Sequence, residues 1–267
     1  MSEELFPTAY ACYNKDINIR LDSTSGGVFT AISKYIIETQ QGIVYGAAFD
    51  EKFKVTHFSA EDIESLEKFR GSKYPQSHIG LVYKSVKENL DYNRIVLFAG
   101  TPCQVAGLKS FLQKDYDNLY CIDLVCHGVA SPKIWNGYLE KLKKKGNIKR
   151  IVFRNKYRGW KKWYFMVDYG DNFFRRRGGM TEFMRSYLSY ANIRPSCYNC
   201  HFKGLIHKSD FTISDCWGIG ESDIEMNDNQ GLSALLIQTT KAKALFVEIK
   251  NELRFKSLFS IFEVVYA

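Results

Sequence analysis

The segment RPSCYNCHFKG, residues 194–204, places Cys197 and Cys200 three positions apart behind an Arg-Pro. A Cys-x-x-Cys turn aims two sulfurs at one spot, as metal centres and redox disulfides both require. Two more cysteines stand where they could complete such a centre. Cys103 follows the apolar run RIVLFAG and opens a helical pattern, while Cys126 directly follows the run CIDLV. In an open α/β sheet, residues just past the carboxyl ends of neighbouring strands share one crevice. Cys103 and Cys126 are therefore expected on one sheet edge, Cys103 beside a helix N-terminus whose dipole favours a metal-binding thiolate. Each alone would also pass as a small buried hydrophobe at a strand end, but together with Cys197 and Cys200 they are expected to make a four-thiolate site. A mixed Cys/His zinc site drawing on His127, His201 or His207 stays open. So does a bare redox dithiol at Cys197 and Cys200. Cys12, Cys121 and Cys216 sit where Val, Ala or Phe would serve and read as core.

Two further stretches carry ligand-binding chemistry. Ser23-Thr24-Ser25-Gly26-Gly27 lies at the mouth of a helix, where small residues, hydroxyls and free N–H groups suit a phosphate. An N-cap and tight turn would use the same residues. Arg70-Gly71-Ser72-Lys73-Tyr74-Pro75-Gln76-Ser77 brings cations, hydroxyls and an amide into one loop, a set that suits a diphosphate or a flavin edge.

The elements that must position these residues are legible as patterns. Residues 10–13, 43–49, 55–58, 94–99, 119–125, 148–153, 163–169, 211–214 and 234–239 read as strands. Helical spacing begins at Val28, spans 78–90 and 104–112, and follows the Ser131-Pro132 cap; a last helix closes the chain. The fold class is α/β, with a central mixed or partly parallel sheet flanked by helices and an additional β-rich portion. Residues 1–146 are expected to form an α/β part, and 147–267 a β-rich part with the Cys-x-x-Cys loop.

With 45% hydrophobic and 25% charged residues the composition is that of a soluble globular protein. No run approaches the roughly 20 apolar residues that span a bilayer. The first residues lack a basic-then-apolar signal pattern, so a cytoplasmic location is expected. Seven cysteines in 267 residues are too sparse for a disulfide scaffold. The net charge of +8 is concentrated partly in Lys141–Lys145, at a helix end, and in Arg175-Arg176-Arg177, in a loop-like stretch. No recognition motif accompanies that charge, so nucleic-acid binding is not expected.

Taken in order, STSGGVFTAI, FRGSKYPQS, FAGTPCQVAGLKSFL, IDLVCHGVASP, FRNKYRGW, IRPSCYNCHFKG and SDFTISDCWGIG resemble the coenzyme F420 hydrogenase/dehydrogenase beta subunit family over nearly the whole chain. The resemblance implies an oxidoreductase that passes electrons between a 4Fe–4S cluster, FAD and an organic substrate. That substrate is a coenzyme F420-like deazaflavin or an unassigned one linked to polysaccharide biosynthesis. It implies Cys103, Cys126, Cys197 and Cys200 as cluster ligands. It also implies flavin contacts among Ser23, Ser25, Gly26, Gly27, Arg70, Ser72, Lys73, Tyr74 and Gln76. An electron-donor or electron-acceptor protein or subunit is the expected partner, with oligomerisation open. Many relatives carry an N-terminal Cys-x-x-Cys-x-x-Cys segment and usually continue beyond the position of FEVVYA, so the resemblance leaves open a unit shortened at both ends. The rival expectation is a zinc-stapled or cofactor-free member that acts as a binding or assembly module.

Overall fold

The computed structural model describes residues 7–217, 219 and 225–258. Gly218 and Gly220 of the SDFTISDCWGIG motif, and the closing FEVVYA, lie outside the described residues. The strands are β1 Thr8–Asn14, β2 Ile43–Phe49, β3 Val55–Ala60, β4 Val96–Ala99, β5 Leu119–Leu124, β6 Arg150–Asn155, β7 Tyr164–Asp168, β8 Phe173–Arg177, β9 Phe211–Asp215, β10 Ser233–Ile237 and β11 Leu253–Ser257. The helices are α1 Ile17–Asp22, α2 Val28–Lys34, α3 Ile63–Glu67, α4 Val82–Asp91, α5 Pro102–Leu112, α6 Pro132–Lys143, α7 Glu182–Leu188, α8 Pro195–Tyr198 and α9 Thr240–Ile249.

Eight strands form one mixed sheet in the order β11-β1-β10-β9-β5-β4-β2-β3. Its middle is parallel, β2 beside β4, β4 beside β5 and β5 beside β9. The outer pairings are antiparallel. β4 is apolar on both faces because helices cover both. On β4, Val96 and Phe98 pack with Val86, Val105 and Leu108 of α4 and α5. The alternate residue Leu97 packs on the opposite face with Ile32 and Phe246 of α2 and α9. Fully burying side chains of this size stabilises the fold by about 1.5–3 kcal/mol each.

A separate three-stranded antiparallel sheet, β6-β7-β8, covers α6 and α7. Trp135, Phe153, Phe165 and Phe183 fill the space between, with the Trp135 and Phe183 rings 4.9 Å apart. The large sheet draws β9, β10 and β11 from the same later part of the chain that builds the small one.

The Arg175–Arg177 stretch, expected as loop, is the end of strand β8. Its pattern hid the strand because Phe173, Arg175, Arg176 and Arg177 are all exposed and show no alternation of apolar and polar residues. Among the described residues no helix is long and apolar enough to cross a membrane.

Candidate functional site

A cleft of about 1120 Å³ opens at the carboxyl ends of the parallel strands, and Cys103, Cys126, Cys197 and Cys200 all line it. β4 ends at Ala99, and Gly100-Thr101 turns the chain into α5. Thr101 caps that helix with Pro102 in its first turn, and the Thr101 N–H donates to Gln104 Oε1 at 2.9 Å. Cys103 is thereby held in the first turn, exposed, with its Sγ 3.1 Å from Thr101 Oγ1. β5 runs parallel to β4 and ends two residues before Cys126. Cys197 lies in the short helix α8, where its N–H donates to the Arg194 carbonyl at 2.8 Å.

The cysteine loops are tied together by backbone. The Ala130 N–H donates to the Tyr74 carbonyl at 2.9 Å, and the Gln76 N–H to the Ala130 carbonyl at 3.0 Å. On the other side, the Arg194 N–H donates to the Val129 carbonyl at 2.9 Å. The 70–77 loop, the segment after Cys126 and the segment before Cys197 thus form one small ladder. Gly128 sits inside it at φ +134°, where a Cβ would come 3.3 Å from Cys197 Cβ. The absent side chain is what lets the two cysteine loops meet. The Tyr187 hydroxyl donates to the Gly128 carbonyl at 2.9 Å, and burial raises its pKa, so it remains a donor.

The electrostatics record the gathering of thiols. Burial first, and then the neighbouring Cys103, Cys197 and Cys200, push the Cys126 thiol up to about 11. Tyr83 is pushed up to about 12 by burial and by Cys103; its hydroxyl donates to the Gln104 carbonyl at 2.8 Å. Deprotonating such a set requires a compensating cation. Among the described residues no three Cys, His, Asp or Glu side chains converge tightly enough to hold a single ion.

Of the three histidines weighed as ligands, His201 lines the cleft. His127 is exposed and does not line it. His207 is committed elsewhere: Nδ1 lies 2.9 Å from both Asp123 oxygens and Nε2 lies 2.9 Å from the Gly204 carbonyl. Burial pulls this imidazole down, but the Asp123 carboxylate outweighs burial and its pKa stands above the ordinary value. Both nitrogens therefore donate, and the pair clamps the chain beyond Cys200 onto β5. Cys12, Cys121 and Cys216 are buried in the core.

The residues of the other two constellations are brought together, in a different way. The Ser72 N–H donates to Thr24 Oγ1 at 2.7 Å, which joins the Ser23–Gly27 turn to the 70–77 loop. Gln76 opens on the cleft. The rest lie behind it. Ser23 Oγ donates to the Ile19 carbonyl at 2.7 Å, and Ser25 Oγ donates to Asp215. Gly26 is wedged so closely that a Cβ would fall 2.4 Å from the Cys12 carbonyl oxygen, and Gly27 holds φ +83° at the start of α2. Lys73 Nζ donates to the carbonyls of Lys68, Phe69 and Arg70. Tyr74 packs against Tyr187, with ring centroids 4.6 Å apart. Arg70 pairs with Glu67 at 3.3 Å while its Nε, buried, has no partner.

Some site residues escaped sequence reasoning. Lys54, His78, Arg194 and Lys203 place cationic or titratable groups around the cleft, against the one carboxylate Asp50. Trp135 and Tyr83 contribute aromatic wall. Arg194 and Lys203 stand within the RPSCYNCHFKG segment and Tyr83 and His78 within the amphipathic 78–90 segment, though neither pattern revealed that they face the cleft. Behind the cleft, Lys156 Nζ donates to the carbonyls of Arg20, Ser25 and Gln230 at 2.6, 2.6 and 2.7 Å. Arg154 pairs with Asp215 at 2.8 Å. Both belong to the FRNKYRGW stretch, which marked them without revealing what they hold.

Known proteins share both the sequence pattern and the fold. The family model for the carboxyl-terminal part of the coenzyme F420 hydrogenase/dehydrogenase beta subunit matches residues 93–258, and the chain belongs to that family. The coenzyme F420-dependent sulfite reductase of Methanocaldococcus jannaschii is 31% identical over 118 residues, 43% of this chain. The matched part is 18% of that relative, so the chain spans only a small share of its length. A chain of the F420-reducing [NiFe] hydrogenase complex from Methanosarcina barkeri shares the fold with a TM-score of 0.65 at 18% identity. The match covers 96% of this chain and 85% of that one.

Proposed function

We propose that the chain is the core of an iron–sulfur flavoprotein oxidoreductase. Cys103, Cys126, Cys197 and Cys200 would hold a 4Fe–4S cluster. FAD would be held on the cleft side of the Arg70–Ser77 loop, at Gln76 and Ser77, with the Ser23–Gly27 turn bracing that loop from within. The observation that carries this reading is that four cysteines from three distant segments line one cleft. Four thiolates are the ligand set that a 4Fe–4S cluster takes, and zinc on the same four cysteines is the alternative. The cluster supplies single electrons and the flavin exchanges them with the pairs that organic substrates require.

This chain's own residues provide placement. The backbone ladder through Tyr74, Ala130 and Arg194 keeps the cysteine loops in register with the flavin loop. Gln76 and Ser77 lie on the cleft side of that loop, and Gln104 Nε2 donates to Ser77 Oγ at 2.8 Å. Lys54, Arg194 and Lys203 supply positive charge for an anionic organic substrate, such as a deazaflavin coenzyme. Trp135 and Tyr83 exclude water from the wall. An electron-transfer protein or subunit would exchange electrons with the cluster, and the unit 1–267 would act as one catalytic body in the cytoplasm.

The deciding experiment is anaerobic purification, iron and acid-labile sulfide assays, and a visible spectrum before and after dithionite. Four iron and four sulfide per chain with a bleachable flavin band are expected. Zinc, or four free thiols with no flavin after added FAD, would replace this reading with the binding-module alternative.

A further inference from the structure

The chain's net positive charge is concentrated in a region that the thiol cleft does not use. Residues 141–177 hold fourteen lysines and arginines against two aspartates and no glutamate. This local excess is larger than the whole-chain net of +8, so the remainder of the chain is net negative. The stretch comprises the end of α6 and the whole small sheet. Arg154 and Lys156 face inward and are consumed by Asp215 and by backbone carbonyls. Arg175, Arg176 and Arg177 on β8 are exposed. The nearby carboxylate Glu182 is already bonded to Lys141 at 2.6 Å.

Register places these arginines among apolar groups. Arg175 lies opposite Met166 and Arg177 opposite Tyr164, with Val152 next in the Met166 row. Phe173, Tyr157 and Met180 beside them are 57%, 59% and 61% exposed. Arginine, tyrosine, phenylalanine and methionine are the residues enriched at protein interfaces. β8 is also the last strand of its sheet, and no strand pairs with its outer edge among the described residues. Its free N–H and C=O groups are a template for a strand from another chain.

The chemistry selects the occupant. A second copy of the same edge would set arginines against arginines, which is repulsive. Nucleic acid stacks on free aromatic faces, but the Arg175 guanidinium covers Tyr157 at 4.0 Å and also lies over Phe173. Guanidinium forks match carboxylates in bidentate geometry. We propose that the β8 edge docks a partner protein presenting an acidic extended strand. That strand would join the β6-β7-β8 sheet and set one row of carboxylates against Arg175 and Arg177, which share a face. The proposal does not depend on the redox reading.

The test titrates the full chain with a labelled peptide of alternating glutamate and valine, and with polyglutamate of equal charge. The alternating peptide should bind more tightly, weaken as salt rises, and slow amide exchange across residues 173–177. In Arg175→Glu/Arg177→Glu its affinity should fall at least roughly tenfold, about 1.4 kcal/mol. Arg175→Gln/Arg177→Gln should show a smaller loss in the same direction, and guards against misfolding of the first variant. Equal binding of the two probes, or unchanged affinity in both variants, would overturn the proposal. So would tighter binding to oligothymidylate or to vesicles containing phosphatidylserine, which would make the surface a nucleic-acid or membrane site.

Discussion

The thiol cleft and the Ser23–Gly27 turn are both polar loop regions joined through the 70–77 loop, yet they use their polar atoms in opposite ways. In the cleft the fold braces the cysteine loops mainly through backbone bonds, helped by the Thr101–Gln104 cap and by Tyr187, and all four cysteines line the open space. In the turn nearly every polar atom is consumed internally. The Asn14 N–H donates to the Gly26 carbonyl at 2.7 Å, and the Gly26 N–H donates to Ser233 Oγ at 2.8 Å. Lys156 binds the Ser25 carbonyl, and desolvation, reinforced by Arg20, lowers that ammonium to about 7. The comparison teaches that a cluster of hydroxyls, glycines and cations in sequence can be an offered surface or a closed joint. Burial and partner count separate the two.

Substitutions can break this contrast. The largest effect is expected from Cys126→Ser, which should abolish iron retention while leaving the circular dichroism spectrum intact. Cys121→Ser, in a strand interior, should keep iron and cost roughly 1–3 kcal/mol of stability from burying a hydroxyl. Equal iron in both variants would remove Cys126 from the ligand set.

Gly26→Ala should destabilise by about 3 kcal/mol in chemical denaturation, because a Cβ would fall 2.4 Å from the Cys12 carbonyl oxygen. Gly71→Ala sharpens the comparison: at φ +81° with nothing within 4 Å, it should cost only about 1 kcal/mol from left-handed backbone. A reversal of that order would mean the turn is as open as the loop.

His207→Gln should cost roughly 2 kcal/mol through loss of the charge-assisted bond to Asp123. Because the folded-state pKa of His207 is raised, its contribution is complete below the unfolded value near 6.5 and is lost as pH rises through the folded one. Wild-type and variant stabilities should therefore converge with rising pH in parallel denaturation curves. A pH-independent gap would assign the clamp to packing.

Much of the fold was legible along the chain. The apolar runs RIVLFAG and CIDLV mark β4 and β5 because strands buried on both faces cannot carry polar residues freely. The Thr101-Pro102 and Ser131-Pro132 signals mark helix starts, since proline needs no backbone donor there. β8 was not legible: a strand at a sheet edge, exposed at every residue but Phe174, has too little burial to impose a pattern. Nor was the His207–Asp123 clamp, whose members are 84 positions apart.

Residue order alone therefore determined the strand ends at which Cys103 and Cys126 stand, and the Cys-x-x-Cys pair that could join them. Only the tertiary structure decided that Gly128 lets the two cysteine loops touch and that Ser25 and Lys73 face inward. It also decided that three arginines line an unpaired edge. The physical reason is range. Helix starts and apolar strands follow from neighbours a few residues away, whereas exposure, pairing and a shared cleft depend on contacts that the chain makes only once folded.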